Sequence, residues 1–87
     1  MYYTYILYSE SADRYYVGYT SNLKDRLWHH NSHAVRSTRR GIPWKIVYYE
    51  VYSEKHDAIV REHEIKKKKS RKYIASLISD FAFPLPD

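Results

Sequence analysis

The chain has 87 residues, of which 44% are hydrophobic and 29% charged, and its 15 lysines and arginines outnumber its 10 acidic residues. This composition excludes a disordered chain and indicates one small domain with a polyanionic partner such as nucleic acid. The lack of cysteine excludes disulfides and thiolate zinc sites, and no apolar run approaches the ~20 residues that cross a membrane, so a cytoplasmic protein is expected.

The first twenty residues predict a β-hairpin. Residues 2–9 are rich in tyrosine and include Thr4 and Ile6, a composition that favours a strand. Residues 10–13 are polar and turn-like, and residues 15–19 resume the strand pattern. Two strands joined by so short a turn run antiparallel.

An amphipathic helix of about ten residues is predicted to follow the hairpin. Asn22 is a helix-capping residue, and Asp25 follows it at the spacing of a capping box. Leu23 and Leu27 lie one turn apart with Trp28 beside them, which indicates the face that packs on the sheet.

Residues 32–43 are polar and basic, and they predict a loop long enough to suggest a function. Its candidate contacts to phosphate are Arg36, Arg39 and Arg40. Residues 44–52 are rich in isoleucine, valine, tryptophan and tyrosine, and they predict a third strand.

Two further helices are predicted in the last third of the chain. Ser53 can cap one helix that runs to about Lys67, and Ser70 can cap the other. Pro84 and Pro86 then stop the last helix. The apolar stripe of this last helix consists of Ile74, Leu77, Ile78 and Phe81.

The predicted order of elements is therefore β-β-α-β-α-α, in one domain of residues 1–82 with a C-terminal tail of residues 83–87. If the first strand is central, both of its neighbours can run antiparallel to it. The sequence thus predicts an α+β fold, with a small three-stranded antiparallel sheet flanked by three helices.

Glu62 lies on the same stripe of the second predicted helix as Ala58 and Ile65. A buried carboxylate is costly without a partner, so it should be ion-paired, hydrogen-bonded or bound to a metal ion. A nearby arginine is the partner expected if the role of Glu62 is structural. Arg26 and His30 share one face of the first helix, although each alone would be unremarkable on a solvent-facing surface.

Other patterns that carry chemistry are weak or missing. His29 and His33 have the spacing of a metal-binding pair, but no glutamate lies between them, and chance clustering of surface histidines accounts for them. Gly18 and Gly41 are the only glycines, so the chain has no glycine-rich phosphate loop. This excludes the NTPases and dinucleotide enzymes that depend on such a loop.

The ordered set of residues resembles the GIY-YIG nuclease family. Thr4-Tyr5-Ile6 and Tyr16-Val17-Gly18 are similar to the two-part signature of that family, although no glycine precedes Tyr5. Arg26 and His30 match residues of the family's first helix, and the stretch from Ala58 to Glu62 matches the one that ends in its metal-binding glutamate.

The resemblance extends over most of the chain, from about Tyr3 to Ile78, and is greatest to a short, stand-alone bacterial subgroup. Tyr19 stands where some repair nucleases of the family carry a lysine, so one phosphate contact is expected to be missing. The positions that match the family's site are Tyr5, Tyr16, Gly18, Arg26, His30 and Glu62.

The resemblance implies that Glu62 would hold one Mg²⁺ or Mn²⁺, a hard cation that accepts a single carboxylate and keeps several waters. Arg26 would contact a non-bridging phosphate oxygen, where its planar fork fits. Tyr16, or its counterpart Tyr5, would act as or position the general base for the attacking water.

Two further roles follow from the same resemblance. His30 would accept the proton or position the water. Gly18 would let the substrate backbone approach without a side chain in the way.

The basic run of Lys66, Lys67, Lys68 and Lys69 would join the loop arginines in binding the phosphate backbone outside the catalytic centre.

The function expected from the sequence is a metal-dependent endonuclease that hydrolyses nucleic-acid phosphodiesters, DNA rather than RNA, in DNA processing or repair. The alternative is a nucleic-acid-binding module on the same fold with little or no catalysis. A protein-interaction domain that uses exposed tyrosines would leave Arg26, His30 and Glu62 unexplained. A monomer or weak homodimer with no membrane partner is expected.

Overall fold

The computed structural model describes residues 1–81. The last residue of the predicted domain and the predicted tail of residues 83–87, with the helix-stopping Pro84 and Pro86, lie outside the described residues.

Three antiparallel strands form one sheet, as the sequence predicts. They are β1 (Tyr2–Ser9), β2 (Arg14–Thr20) and β3 (Trp44–Tyr52), and β1 lies between the other two. Because β1 is the central strand, helices can cover both of its faces, and Tyr5, Ile6 and Leu7 are almost completely buried.

The three predicted helices are α1 (Leu23–Asn31), α2 (Lys55–Lys68) and α3 (Arg71–Ser79). The Asn22 and Ser70 side chains cap α1 and α3, each accepting a hydrogen bond from a backbone N–H three residues on. The predicted cap of α2 at Ser53 is wrong. Glu54 occupies that position and makes no side-chain capping bond.

The prediction of an irregular loop for residues 32–43 needs correction, because Arg36–Gly41 form a short 3-10 helix. Thr38 and Gly41 are buried within it. The Thr38 carbonyl accepts a hydrogen bond of 2.6 Å from the Trp44 indole nitrogen, Nε1. A Cβ on Gly41 would lie only 2.3 Å from the Trp44 ring, so glycine is what lets this segment pack closely on β3.

The sheet has a different set of apolar partners on each face, since successive side chains of a strand point in opposite directions. One cluster holds α1 against the sheet and consists of Tyr5, Leu7, Leu23, Trp44 and Ile46. The opposite cluster consists of Ile6, Val17 and Ile65, with side chains of α3 packed on it. Trp28, predicted beside the apolar stripe of α1, is instead 66% exposed.

A carboxylate network that the sequence did not reveal joins β3 to α2. The Glu50 carboxylate accepts hydrogen bonds from Arg61 Nε at 2.9 and 3.1 Å and from the hydroxyls of Tyr48 and Tyr52. Burial opposes the charge on Glu50, but these donors outweigh it, so the pKa of Glu50 is lowered. Arg61 precedes Glu62, so the network fixes α2 beside the candidate site.

Among the helices of residues 1–81, none combines the length and the apolar character that a membrane crossing requires.

Candidate active site

The pairing of β1 with β2 brings the two signature tyrosines to the same face of the sheet. Tyr5 lies opposite Gly18, and Leu7 lies opposite Tyr16. Directly paired residues in an antiparallel ladder project to the same side. The rings of Tyr5 and Tyr16 accordingly lie 6.4 Å apart between centroids, on the face that α1 covers.

Gly18 provides the space that the Tyr5 side chain occupies. A Cβ at this position would lie 2.6 Å from the Tyr5 hydroxyl oxygen, 2.8 Å from Tyr5 Cζ and 3.1 Å from Tyr16 Cε2. The requirement for glycine therefore has an internal cause. Its expected role in the approach of substrate stays a prediction.

We expect Gly18→Ala to destabilise the fold by about 1–3 kcal/mol, the cost of overpacking a filled site, and to lower activity by displacing Tyr5. Thermal unfolding of the parent and variant measures the first effect. Adding Tyr5→Phe, which removes the closest clashing atom, should restore part of the lost stability in the double variant. A variant as stable and as active as the parent would show that the strand yields without moving Tyr5.

His30 lies fully buried between Tyr5 and the 3-10 helix. Its Nε2 is 3.0 Å from the Tyr5 hydroxyl, and its Nδ1 is 2.8 Å from Thr38 Oγ1. Its ring also contacts Tyr16, at 4.8 Å between centroids. The histidine thus joins both tyrosines to a segment that the sequence predicted to be loop.

The two groups that face each other here are both neutral at pH 7. Burial raises the pKa of Tyr5 to about 12, with a hydrogen bond from Arg26 acting in the opposite direction. Burial, followed by the nearby charge of Arg26, lowers the pKa of His30 to about 4. Tyr5 therefore carries its proton, and His30 has one nitrogen free to accept a hydrogen bond.

This lowered pKa predicts a pH dependence of stability. An unfolded His30 binds a proton below pH ~6.5, whereas the folded one does so only near pH 4. The neutral His30 therefore contributes to the free energy of unfolding, and this contribution is fully present above pH ~6.5. It is lost as pH falls through about 4, and its full size is about 3 kcal/mol. We expect the melting temperature of His30→Gln to fall less than that of the parent as the pH is lowered from 6.5 to 4. The exposed His56, replaced in the same way, is the control and should leave the profile unchanged.

Arg26 joins the tyrosines from α1, as the sequence predicts by placing it on one face with His30. A hydrogen bond to the Tyr5 hydroxyl, which outweighs partial burial, raises the pKa of Arg26, with Tyr16 contributing as well. The Arg26 residue is only partly buried, so its side chain lies beside the tyrosines and still reaches solvent. An anionic oxygen could bind to its remaining N–H groups.

Glu62 comes from α2, which packs on the opposite face of the sheet through Ile65. Glu62 is 8% exposed, and its carboxylate pairs with the Lys66 ammonium at 2.7 Å. That ammonium lies 5.9 Å from the centre of the Tyr16 ring, and the charge of Glu62 contributes to the raised pKa of Tyr5. Because β2 is an edge strand, the Lys66 side chain on α2 can reach the Tyr16 ring past the free edge of β2.

The expectation of a structural arginine partner for Glu62 is therefore wrong, since the partner is Lys66. The i, i+4 spacing of a glutamate and a lysine on one helix was a signal for this pair in the sequence. The ion pair with Glu62 also distinguishes Lys66 from the other three lysines of the basic run, because it places Lys66 at the candidate site.

A hard cation requires oxygen ligands, and Glu62 is the carboxylate that the candidate site offers. No cluster of three or more histidine, aspartate or glutamate side chains that could hold a metal occurs within residues 1–81. A single carboxylate suits Mg²⁺ or Mn²⁺, which keeps several waters and takes further oxygens from phosphate. The Lys66 side chain is 48% exposed, so it can move into solvent and leave the Glu62 oxygen free. The residues present thus fit such an ion.

The remaining predicted cations are spread over three surfaces. The 3-10 helix presents the side chains of Arg36, Arg39 and Arg40 to solvent. Lys67 and Lys68 lie beside Glu64 on the outer surface of α2, and Lys68 Nζ sits 5.3 Å from the centre of the Tyr73 ring.

Lys66 and Lys69 line a groove of about 430 Å³ between the free edge of β2 and the junction of α2 with α3. Tyr16 also lines it, so the groove opens directly onto the candidate site. Two exposed arginines, Arg14 and Arg71, add positive charge to its lining. The basic run thus does not act as one patch.

Comparison with known proteins adds an independent line of observation. A family profile described as the GIY-YIG catalytic domain matches residues 1–74. A UPF0213 protein of Streptococcus pyogenes serotype M5 (strain Manfredo) is 42% identical over 71 residues, which are 79% of this chain and 75% of that protein. One from serotype M3 (strain ATCC BAA-595 / MGAS315) is 41% identical over the same length and shares. The solution structure of a UPF0213 protein from Bacillus halodurans matches 91% of this chain and 84% of its own, with 31% identity and a TM-score of 0.55.

Proposed function

This chain belongs to the GIY-YIG catalytic domain family, a family of nucleases, and we propose that it is a metal-dependent endonuclease that hydrolyses nucleic-acid phosphodiesters. DNA is the proposed substrate, in processing or repair. The observation that carries the proposal is the convergence of the family's site positions: the Tyr5 hydroxyl lies 3.0 Å from His30 Nε2, and the Lys66 ammonium that pairs with Glu62 lies 5.9 Å from the centre of the Tyr16 ring. Arg26 lies close enough to affect the pKa of Tyr5.

Glu62 would hold Mg²⁺ or Mn²⁺, which when bound neutralises negative charge on the scissile phosphate and its leaving oxygen. Arg26 would donate to a non-bridging phosphate oxygen through N–H groups that do not contact the tyrosines. Lys66, released from Glu62, would remain beside Tyr16 as a second cation for the substrate. It could supply a phosphate contact that Tyr19 lacks.

The two tyrosines have different parts in this proposal. Tyr5 keeps its proton at neutral pH and lies within hydrogen-bond distance of His30. It would therefore help to orient the groups of the site and would not accept a proton from the attacking water. Tyr16 is the hydroxyl available to position the attacking water. His30, with a pKa of about 4, is too weak a base to store a proton at neutral pH, and it would align Tyr5.

The test is cleavage of labelled single-stranded, duplex and branched DNA and RNA by the purified protein, in Mg²⁺, in Mn²⁺ and in chelator. We expect cleavage with either metal ion and none with chelator. The same products in chelator would refute metal dependence.

One observation favours a second function, a nucleic-acid-binding module without catalysis. The Lys66 ammonium neutralises the carboxylate that would attract the metal ion. In that case the protein would bind the substrates with an affinity that falls as salt rises, yet cut none of them.

The arginines of the 3-10 helix are expected to bind the phosphate backbone on the approach to the site. None of them forms an ion pair within the described part of the chain, so their charge is available. Replacing Arg36, Arg39 and Arg40 with alanine should weaken binding, and each lost contact should lower the salt slope by roughly 0.7–0.9. Replacement of the exposed Lys55 on α2 serves as a control. If the triple variant keeps the affinity and slope of the parent, the segment only connects α1 to β3.

A further inference from the structure

A series of hydrogen bonds runs from Tyr5 in the candidate site to Val35 beyond the core. The Arg26 guanidinium lies close enough to the Tyr5 hydroxyl to affect its pKa, and that hydroxyl lies 3.0 Å from His30 Nε2. His30 Nδ1 lies 2.8 Å from Thr38 Oγ1, which in turn lies 3.4 Å from the Val35 carbonyl oxygen. Tyr5, His30 and Thr38 are each at most 2% exposed, so water does not compete for these groups.

The chemistry of its two ends determines the direction of this series. Arg26 is a cation that can only donate, so it favours the arrangement in which the Tyr5 oxygen faces it and the Tyr5 hydroxyl donates its proton to His30 Nε2. A carbonyl can only accept, so Thr38 donates to Val35 and its oxygen is left to accept. Both ends favour the same arrangement of His30, with Nδ1 protonated and Nε2 free to accept.

Thr38 is itself held in place by two contacts beyond the histidine. Its carbonyl accepts from the Trp44 indole, and its segment packs on the Trp44 ring through Gly41. The hydroxyl therefore has little freedom to leave His30. A neutral histidine whose Nδ1–H lacked this acceptor would favour the other tautomer, which presents a donor to a Tyr5 oxygen already facing Arg26.

We propose that Thr38 is a positioning residue for the nuclease reaction, acting through His30: it selects the Nδ1–H tautomer and so directs the Tyr5 oxygen toward Arg26 and the substrate. This inference rests on the proposed function, since it assigns Thr38 to that same site. Thr38 contacts neither substrate nor metal ion in this arrangement. Its effect is on the orientation of the Tyr5 hydroxyl.

The first test measures the tautomer directly and requires no activity. Nitrogen-15 NMR of the His30 ring at neutral pH distinguishes a protonated from an unprotonated nitrogen. We expect Nδ1–H in the parent and in Thr38→Ser, which keeps the hydroxyl. Thr38→Val, of nearly the same shape, should shift the ring to Nε2–H. An Nε2–H tautomer in the parent, or no change in the valine variant, would overturn the inference.

The second test separates positioning from folding. Thr38→Val should lower kcat by between about tenfold and a hundredfold, the range for losing a residue that orients a ligating or reacting group, with KM little changed. Thr38→Ser should recover most of the rate. If the serine and valine variants lose cleavage rate in proportion to their loss of melting temperature, Thr38 contributes only to the packing of the core and has no positioning role.

The two proposals can fail separately. A parent protein that cuts no substrate with any metal ion refutes the nuclease, while its His30 tautomer is still measured by NMR. A protein that cuts normally with His30 in the Nε2–H form refutes the role of Thr38 alone.

Discussion

Glu62→Gln should reduce cleavage by at least about a hundredfold, the scale of losing one charged group that stabilises a transition state. The glutamine keeps the shape of the side chain and removes the charge that would recruit the metal ion. Folding should change little, because the lost ion pair involves a half-exposed lysine, and such pairs contribute about 0–1 kcal/mol. Cleavage rate, melting temperature and a metal titration on the same variant measure all three effects.

Lys66→Met is the matched control, because it breaks the same ion pair from the other end and keeps the carboxylate. It leaves a nearly buried charge without a partner, so it should destabilise the protein more than Glu62→Gln does. Added Mn²⁺ should restore stability to Lys66→Met and not to Glu62→Gln, since binding to the folded state raises its melting temperature. If Glu62 serves only as an ion-pair partner, the glutamine variant will cut as fast as the parent.

Arg26→Ala should reduce both cleavage and binding, because in the proposed mechanism the side chain would bind a phosphate oxygen and it also lies beside the Tyr5 hydroxyl. We expect a loss of at least about a hundredfold in kcat, together with a weaker affinity for uncut substrate in chelator. Arg26→Lys should recover part of the affinity and little of the rate, since an ammonium keeps the charge without the planar fork.

Lys24→Ala is the control for Arg26, because it removes one positive charge from the exposed surface of the same helix. It should lower affinity slightly and leave kcat unchanged. Equal losses from the alanine variants of Lys24 and Arg26 would mean that α1 contributes only a general positive field.

The sheet and helices could be predicted because their signals are local. Asn22 and Ser70 cap their helices with side chains that reach a backbone N–H three residues away. The order of strands followed from one short hairpin and the need to place β3 beside the same central strand. The predicted bounds of β1 and β3 agree with the structure.

The parts that could not be predicted depend on contacts between distant residues. The 3-10 helix has no apolar periodicity of its own and is held by Trp44, which belongs to the following strand. The exposure of Trp28 depends on how α1 rotates on the sheet, which the neighbouring leucines alone do not fix. The donors around Glu50 come from β3 and from Arg61 on the following helix, so no short segment reveals the network.

The site residues divide in the same way. The family pattern identified Tyr5 and Tyr16, and the register of β1 with β2 brings their rings to one face. Thr38 was overlooked because an isolated threonine in a polar segment carries no pattern. Its connection to the site is given only by the structure, in which its hydroxyl lies 2.8 Å from His30 Nδ1.

The central place of β1 also has a consequence for the order in which the protein is synthesised. Its partner on one side follows within a few residues, whereas β3 begins at Trp44 and leaves the ribosome much later. Until then one edge of β1 has no strand to pair with, and Glu62 has not yet emerged. A nascent or prematurely terminated chain therefore carries both signature tyrosines, the arginine and the histidine without the carboxylate. In the proposed mechanism, cutting would therefore require nearly the whole domain, up to Glu62.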